Sequence, residues 1–299
     1  MKFSIIGCNG YIARNFIEFL QRCKDIKIFG YDIHEKACNE DIDYFKLDLC
    51  SAENINKINV DVDFVFMFAG KTGVIEGFNK YVEFVDVNEK ALIILLDHIK
   101  NEKSKARLIY PSTRLVYKGK TNKALKEEDE KELNSLYAIN KNTCENILKL
   151  YNKAFNISFT IIRICIPYGE IKQGNKSYGT IGFFIENAKN NGVINLYGNG
   201  EQKRSFIHIE DLCRGLIFLT SHTECENETF NMGGPDVLSI KDIANIIAKK
   251  HNAAVKKIDF PELEAKLESG DTIFDDSKIN DLGFKYKHNI REELEKGIK

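Results

Sequence analysis

Tyr137 and Lys141 stand four residues apart in a segment, 133–155, whose apolar residues recur with helical period. Residues at that spacing share one face of a helix. A lysine ammonium there favours the phenolate, drawing a tyrosine from its unperturbed pKa of ~10 toward working pH. Such a tyrosine takes the proton of an alcohol being oxidised and returns it in the reverse direction. The pattern alone says little, since 12 tyrosines in a lysine-rich chain make about one chance match expected. A second match, Tyr168 to Lys172, follows Pro167 and precedes Gly169 in a loop-like stretch, where the spacing does not put both side chains on one face. Tyr137 and Lys141 are the candidate pair.

Proton transfer also needs a group to orient the reacting oxygen. The strand-like run 105–111 is followed by Ser112 and Thr113, which puts hydroxyls at the carboxyl edge of a sheet. Either can bridge substrate and Tyr137; the plain alternative is a strand-end turn hydrogen bond.

A second chemistry is written at the amino terminus. The first strand-like run leads into Gly7-Cys8-Asn9-Gly10-Tyr11-Ile12-Ala13. A phosphate approaches a backbone only where no side chain blocks it, hence glycine at 7 and 10. The helix start at Tyr11 and Ile12 then offers unpaired N–H groups and a positive dipole end to a pyrophosphate. Ala13 is small enough for close helix–strand packing. Asp32 closes the second run, Ile28-Phe29-Gly30-Tyr31-Asp32, about 20 residues past the glycines, where a carboxylate accepts both hydroxyls of an adenosine ribose. It repels a 2′-phosphate, which favours NAD over NADP. Asp48 and Leu49, after the third run, are placed to hold the adenine edge, and Ala69-Gly70 ends the fourth where the chain passes close to the cofactor.

These residues need a scaffold, and the chain supplies a rhythm for one. Strands are expected at 2–7, 26–32, 43–47, 62–69, 105–111 and 157–165, with helices at 11–24, 79–100 and 133–155. Phe64 to Ala69 does not alternate in polarity, as expected where helices cover both faces of a parallel strand. The alternation predicts a Rossmann-type, doubly wound parallel α/β sheet. It breaks after Cys165: 167–203 is rich in Gly and Asn with one convincing helix at 181–190, and another helix is expected at 209–221. The reading is an NAD-binding domain of 1–166 plus about 204–223, and a smaller α/β substrate domain of 167–203 plus about 224–299.

Composition narrows the partners. With 299 residues and a net charge of -1, nothing electrostatic points to nucleic acid or an anionic membrane. No apolar run approaches the ~18 residues that span a bilayer. A strand begins directly after Met1, which predicts no signal peptide. The eight cysteines are scattered without a Cys-x-x-Cys and read as reduced thiols of a cytoplasmic protein, and the six histidines lack metal-ligand spacing, so no metal site is predicted.

Taken together the residues resemble the extended short-chain dehydrogenases, specifically their nucleotide-sugar epimerase/dehydratase group. The resemblance covers nearly the whole chain. Gly7-x-x-Gly10-x-x-Ala13 is similar to the cofactor loop, Ser112-Thr113-x-x-Val116-Tyr117 to the Ser-Ser/Thr-x-x-Val-Tyr-Gly motif, and Tyr137-x-x-x-Lys141 to the catalytic pair. It implies Thr113 as the catalytic hydroxyl and Asn88 as a helix asparagine near the cofactor. Tyr137 and Lys141 then also contact NAD, with the lysine at the nicotinamide ribose. Glu145 is typical of the helix. Ile162-Arg163 through Tyr168-Gly169 resembles the Leu-Arg…Val-Tyr-Gly that leads into the substrate domain. Gly198 through His208 resembles the Gly-x-Gly…Arg-Asp-Phe-Ile-His segment, which implies Arg204 as the residue gripping a diphosphate.

Several positions depart from that pattern. Ser205 replaces an aspartate, Ile166 an asparagine, and no arginine lies between Arg214 and Arg291, which leaves Lys256 or Lys257 as the candidate second phosphate contact. Arg114 and Leu115 stand where sugar dehydratases carry Asp-Glu, which argues against 4,6-dehydration. The resemblance implies an NAD-dependent epimerase acting on a nucleotide-diphosphate sugar at C4 through a transient keto-sugar. The alternative with the same residues is a 4-ketoreductase; a non-catalytic dinucleotide sensor would not need the Tyr/Lys pair. Relatives of this kind often pair as homodimers through the two long helices, here 79–100 and 133–155.

Overall fold

The apolar runs at the start of the chain align side by side in a computed structural model that describes residues 1–169 and 179–296. β1 (Lys2–Ile6), β2 (Lys27–Asp32), β3 (Asp43–Lys46), β4 (Phe64–Met67) and β5 (Arg107–Thr113) lie in the order β3-β2-β1-β4-β5, each adjacent pair parallel. Phe159–Ile164 and then Glu228–Met232 extend the sheet past β5 to seven strands. Every residue of β4 and β5 is buried, because helices cover both faces. This is the Rossmann-type α/β sheet expected from the alternation. Ile6 registers with Tyr31 on one side and Met67 on the other, so the loop after β1 opens where the strand order reverses.

α1 (Tyr11–Leu20) buries Ala13, Phe16, Ile17 and Leu20 at spacings of three and four, and Phe16 packs its ring 4.7 Å from that of Phe66. The single helix expected at 79–100 is broken. Glu76–Asn79 and Tyr81–Val85 are separated by Lys80 (φ -132°, ψ 37°), a wide π turn spans Asp86–Lys90, and Ala91–Asn101 completes the run. The widened turn puts Asn88 in the interior. The helix Leu136–Phe155 starts three residues later than its apolar period suggests, because Ser135 caps it by accepting from the Ala138 N–H at 3.1 Å. It stops at Asn156 in the left-handed conformation.

The chain divides into two units. The first holds residues 1–116, 133–163 and 216–230, and the second 117–132, 164–215 and the chain from Asn231 onward. These limits differ from the sequence reading in four places, residues 117–132, 164–166, 204–215 and 224–230, and each holds part of a paired strand. Lys203–His208, expected with the first domain from Arg204 onward, pairs with Ile166–Tyr168 and Asp236–Ser239. Glu228–Met232, expected with the second, is an edge of the main sheet. Ala124–Leu125 leaves the first domain to pair with Ile273–Phe274. The second unit also pairs Val193–Tyr197 with Ala254–Ile258 and buries Phe184, Phe206, Ile243 and Ile247 in a core of its own. Among the described residues no helix is long and apolar enough to cross a membrane.

Candidate active site

Gly7 leaves β1 with φ +79°, and a Cβ there would sit 2.5 Å from the Ala69 nitrogen, so only glycine fits. Its N–H and that of Cys8 both donate to the Tyr31 carbonyl, at 2.7 and 3.1 Å, which ties the loop to β2. Gly10 caps α1 with no side-chain hydrogen bond, and the positive end of the helix dipole lies at half-buried Tyr11 and Ile12. Ala69 fixes the other wall of the loop by donating to the Ile6 carbonyl at 2.9 Å.

Asp32 ends β2 with its carboxylate largely enclosed. Oδ2 accepts the Asn9 N–H at 3.0 Å, and Oδ1 meets Nδ1 of His34 at 2.5 Å and its N–H at 3.3 Å. Asn9 reaches on to the Lys36 carbonyl and the Cys38 N–H, so one side chain ties the glycine loop to the segment after β2. Beside this carboxylate, burial and then Asp32 itself push the Cys8 thiol up to about 12, which keeps it protonated and inert. Asp48 is exposed and caps its own turn through Cys50 N–H at 2.9 Å, whereas the Leu49 side chain belongs to the buried core.

Lys141 of the candidate pair reaches the carboxyl end of β5. Lys141 is buried, donates to the Pro111 carbonyl at 2.7 Å, and lies 4.4 Å above the Tyr110 ring and 5.9 Å from that of Tyr137. Burial lowers its pKa to about 8. Gly70 lines the same space: a Cβ there would come 3.1 Å from Asn88 Oδ1 and 4.0 Å from Lys141 Nζ. Asn88 clamps the main chain at Lys71, accepting its N–H at 2.8 Å and donating to its carbonyl at 3.1 Å. The two hydroxyls separate in role. Ser112 donates inward to Glu145 at 2.6 Å, whereas Thr113 accepts the Leu115 N–H at 3.3 Å, leaving its hydroxyl hydrogen to donate elsewhere.

Glu145 is the residue whose role spacing did not disclose. It is fully buried and receives Nε of Arg163 at 2.9 Å and a terminal nitrogen at 2.7 Å, a bidentate pair that leans the helix Leu136–Phe155 on the neighbouring strand.

In the second unit Arg204 is buried. It donates to Glu268 at 2.5 Å, to the Lys203 carbonyl at 2.9 Å and to the Gly270 carbonyl. Lys257, a candidate second phosphate contact, is exposed and bonded to Asn199 at 2.5 Å. Tyr168 of the second sequence match is buried in its strand, and Lys172 lies outside the described residues. His208, Glu210 and His288 converge within 4.8 Å, a proximity invisible in their spacing. Nδ1 of His208 accepts the Glu210 N–H at 3.2 Å, so its other nitrogen carries the hydrogen and is no ready metal ligand.

The profile of the NAD dependent epimerase/dehydratase family matches residues 3–233. The chain belongs to this family. The UDP-glucose 4-epimerase of Mycoplasma genitalium is 26% identical over 273 residues, covering 81% of this chain and 80% of its own. The GDP-mannose 3,5-epimerase of Arabidopsis thaliana is 27% identical over 266 residues, covering 83% and 68%. The UDP-glucuronic acid 4-epimerase of Bacillus cereus, solved with UDP-glucuronic acid and NAD, superposes with a TM-score of 0.86 at 23% identity over 99% of this chain and 97% of its own.

The family makes the protein an NAD-dependent enzyme of the extended short-chain dehydrogenase kind, and the residues fit that cofactor. Gly7 and Gly10 leave backbone where side chains would stand, α1 begins without a side-chain cap, and Asp32 presents a carboxylate at the end of β2. Sequence spacing missed three partners: His34 on Asp32, Glu145 behind Ser112, and Glu268 on Arg204. Glu145 and Glu268 are distant in sequence from the residues they meet, and His34 is exposed.

Proposed function

We propose that the protein is a nucleotide-sugar epimerase acting at C4, with Tyr137 as the proton-transfer residue, Thr113 as its orienting hydroxyl and Lys141 as the supporting cation. The observation that carries this reading is the convergence of Lys141 on the Pro111 carbonyl at 2.7 Å, within 5.9 Å of the Tyr137 ring, on the strand that also presents Thr113. Bound NAD would supply reversible hydride acceptance, and the residues of the chain would hold the sugar and move its proton. Tyr137 takes the proton of the sugar hydroxyl as the carbon loses its hydride, and returns it when the opposite face of the keto-sugar is reduced. Thr113 donates to the same oxygen in both directions. The Lys141 ammonium favours the phenolate while it exists. In the second unit Arg204 binds the diphosphate that anchors the sugar.

The test is incubation with UDP-, dTDP-, GDP- and CDP-sugars and no added NADH. Interconversion of C4 epimers by NMR is expected. NADH consumption with a 4-keto sugar, and no exchange of epimers, would establish the ketoreductase instead.

We further propose that a second copy of the chain covers the outer faces of the broken helix and the catalytic helix. Tyr81, Val82 and Val85 on the first and Ile139 and Leu150 on the second are exposed, and Asn140 reaches Glu89 to hold the two helices side by side. Light scattering should give a dimer, and Val82→Asp a monomer.

A further inference from the structure

Arg204 does not wait for an anion; it already holds one. Its side chain is 3% exposed, and the carboxylate of Glu268, at 31%, is the partner nearest solvent. The other two acceptors on the guanidinium are the main-chain carbonyls of Lys203 and Gly270. Main-chain acceptors move only with the backbone, whereas Glu268 sits on a flexible side chain that can swing aside.

The turn that carries Glu268 has anchors besides this carboxylate, whose Oε1 also accepts the Gly270 N–H at 3.1 Å. Asp271 accepts the Lys203 N–H at 2.7 Å and the Asn122 N–H at 2.9 Å. The Ser269 carbonyl seats so close to Gly119 that a Cβ there would lie 1.8 Å away. Releasing Glu268 gives up its bond from the Gly270 N–H but leaves the Asp271 and Ser269 anchors, and it opens donors of a buried guanidinium.

We propose that Glu268 occupies the anion seat of Arg204 as an internal competitor, and that the diphosphate of a nucleotide takes the place of its carboxylate. Glu268 then sets both the affinity and the selectivity of the seat. A carboxylate brings one charge and two oxygens, so a diphosphate with more of each displaces it, and weaker anions do not. This rests on the nucleotide-sugar reading and adds the residue that tunes it.

The experiment is calorimetric titration of UDP, dTDP, GDP and CDP into the native protein, Glu268→Gln and Glu268→Asp. Glutamine keeps an acceptor for Arg204 without the charge, and aspartate withdraws the carboxylate by one methylene, so one variant serves if the other unfolds. The diphosphate that the native protein prefers should bind roughly tenfold tighter or more to each variant. The gain should vanish when Arg204→Met is added, which a general loosening of the unit would not produce. If the native protein binds a diphosphate and the variants bind it no tighter, the proposal is overturned and the nucleotide-sugar reading stands. If none of the proteins binds any of the four, the nucleotide-sugar reading fails and the proposal with it.

Discussion

Lys141 gives its buried ammonium to the carbonyl oxygen of Pro111 at 2.7 Å while standing 5.9 Å from the ring of Tyr137. Strand β5 thus does two jobs: it orients Thr113, and two residues earlier it provides the acceptor that lets a lysine stay charged in the interior. The cost of that charge is visible in its pKa, which burial lowers from 10.5 to about 8.

The sign of the resulting pH dependence is fixed. Between pH 8 and 10.5 the unfolded chain keeps a proton that the folded protein has lost, so stability rises with pH across that window. Below it the fold bears the whole cost of the buried charge, on the order of 3 kcal/mol. Lys141→Met should therefore be at least as stable as the native protein near neutral pH, and its lead should shrink as pH rises toward 10. Urea unfolding near neutrality and again in the alkaline window measures this; a lead that widens with pH contradicts it. The same variant should lose turnover and NAD affinity together.

Tyr137→Phe removes only the hydroxyl proposed to move the proton. Turnover should fall by about 10² to 10⁴-fold with NAD affinity and folding nearly unchanged. Thr113→Val should cost less, because it removes an orienting hydrogen bond and no proton carrier. Tyr168→Phe, in the core of the other unit, serves as the control and should be milder still. Steady-state kinetics on the true substrate decide it, and near-normal turnover of Tyr137→Phe would mean that another group carries the proton.

The parts of this site that were legible in the sequence are those fixed by local geometry. A glycine that must take φ +79° beside Ala69, a carboxylate at a strand end, and two side chains one helical turn apart each leave a mark within a few residues. The parts that were not legible depend on chain segments that return from far away. Glu268 reaches Arg204 across 64 residues and Ser112 reaches Glu145 across 33, and no spacing rule connects either pair. The strand limits followed the apolar runs closely, but assigning strands to units failed at Lys203–His208 and Glu228–Met232. An apolar strand does not say which sheet it will join. The break at Lys80 and the π turn at Asn88 were also hidden, because a helical period survives a widened turn.

Glu145 is 0% exposed and faces Arg163, itself 1% exposed, through two hydrogen bonds. Glu145→Ala takes the bidentate carboxylate from a buried guanidinium and the acceptor from Ser112, so it should destabilise the protein by about 3 to 5 kcal/mol. Replacing both members, Glu145→Leu with Arg163→Met, should recover much of that loss, because no unpaired charge is left behind. Ser112→Ala should cost only about 1 kcal/mol. Chemical denaturation of the four proteins checks the series, and equal losses for the single and double charge variants would refute the account.

The carboxylate of Asp32 is locked in place by Asn9 on one oxygen and His34 on the other, at 3.0 and 2.5 Å. A ribose hydroxyl would donate to a carboxylate oxygen that Asn9 or His34 already touches, whereas a 2′-phosphate would meet a fixed negative charge. Even at an effective dielectric of ~20, like charges about 4 Å apart repel by several kcal/mol. NADP(H) should therefore bind at least about a hundredfold more weakly than NAD(H). Asp32→Ala should weaken NAD(H) and narrow that gap, since it removes an acceptor for one cofactor and a repulsion for the other. His34→Ala should act differently. It leaves the carboxylate in place and removes the imidazole that competes with the ribose, so NAD(H) should bind as tightly as before or more tightly, with the preference over NADP(H) intact. Titration of both cofactors into all three proteins by calorimetry separates these effects. Equal or tighter NADP(H) binding by the native protein would overturn the role given to Asp32. Loss of NAD(H) affinity in His34→Ala would show that the imidazole positions the carboxylate and does not compete for it.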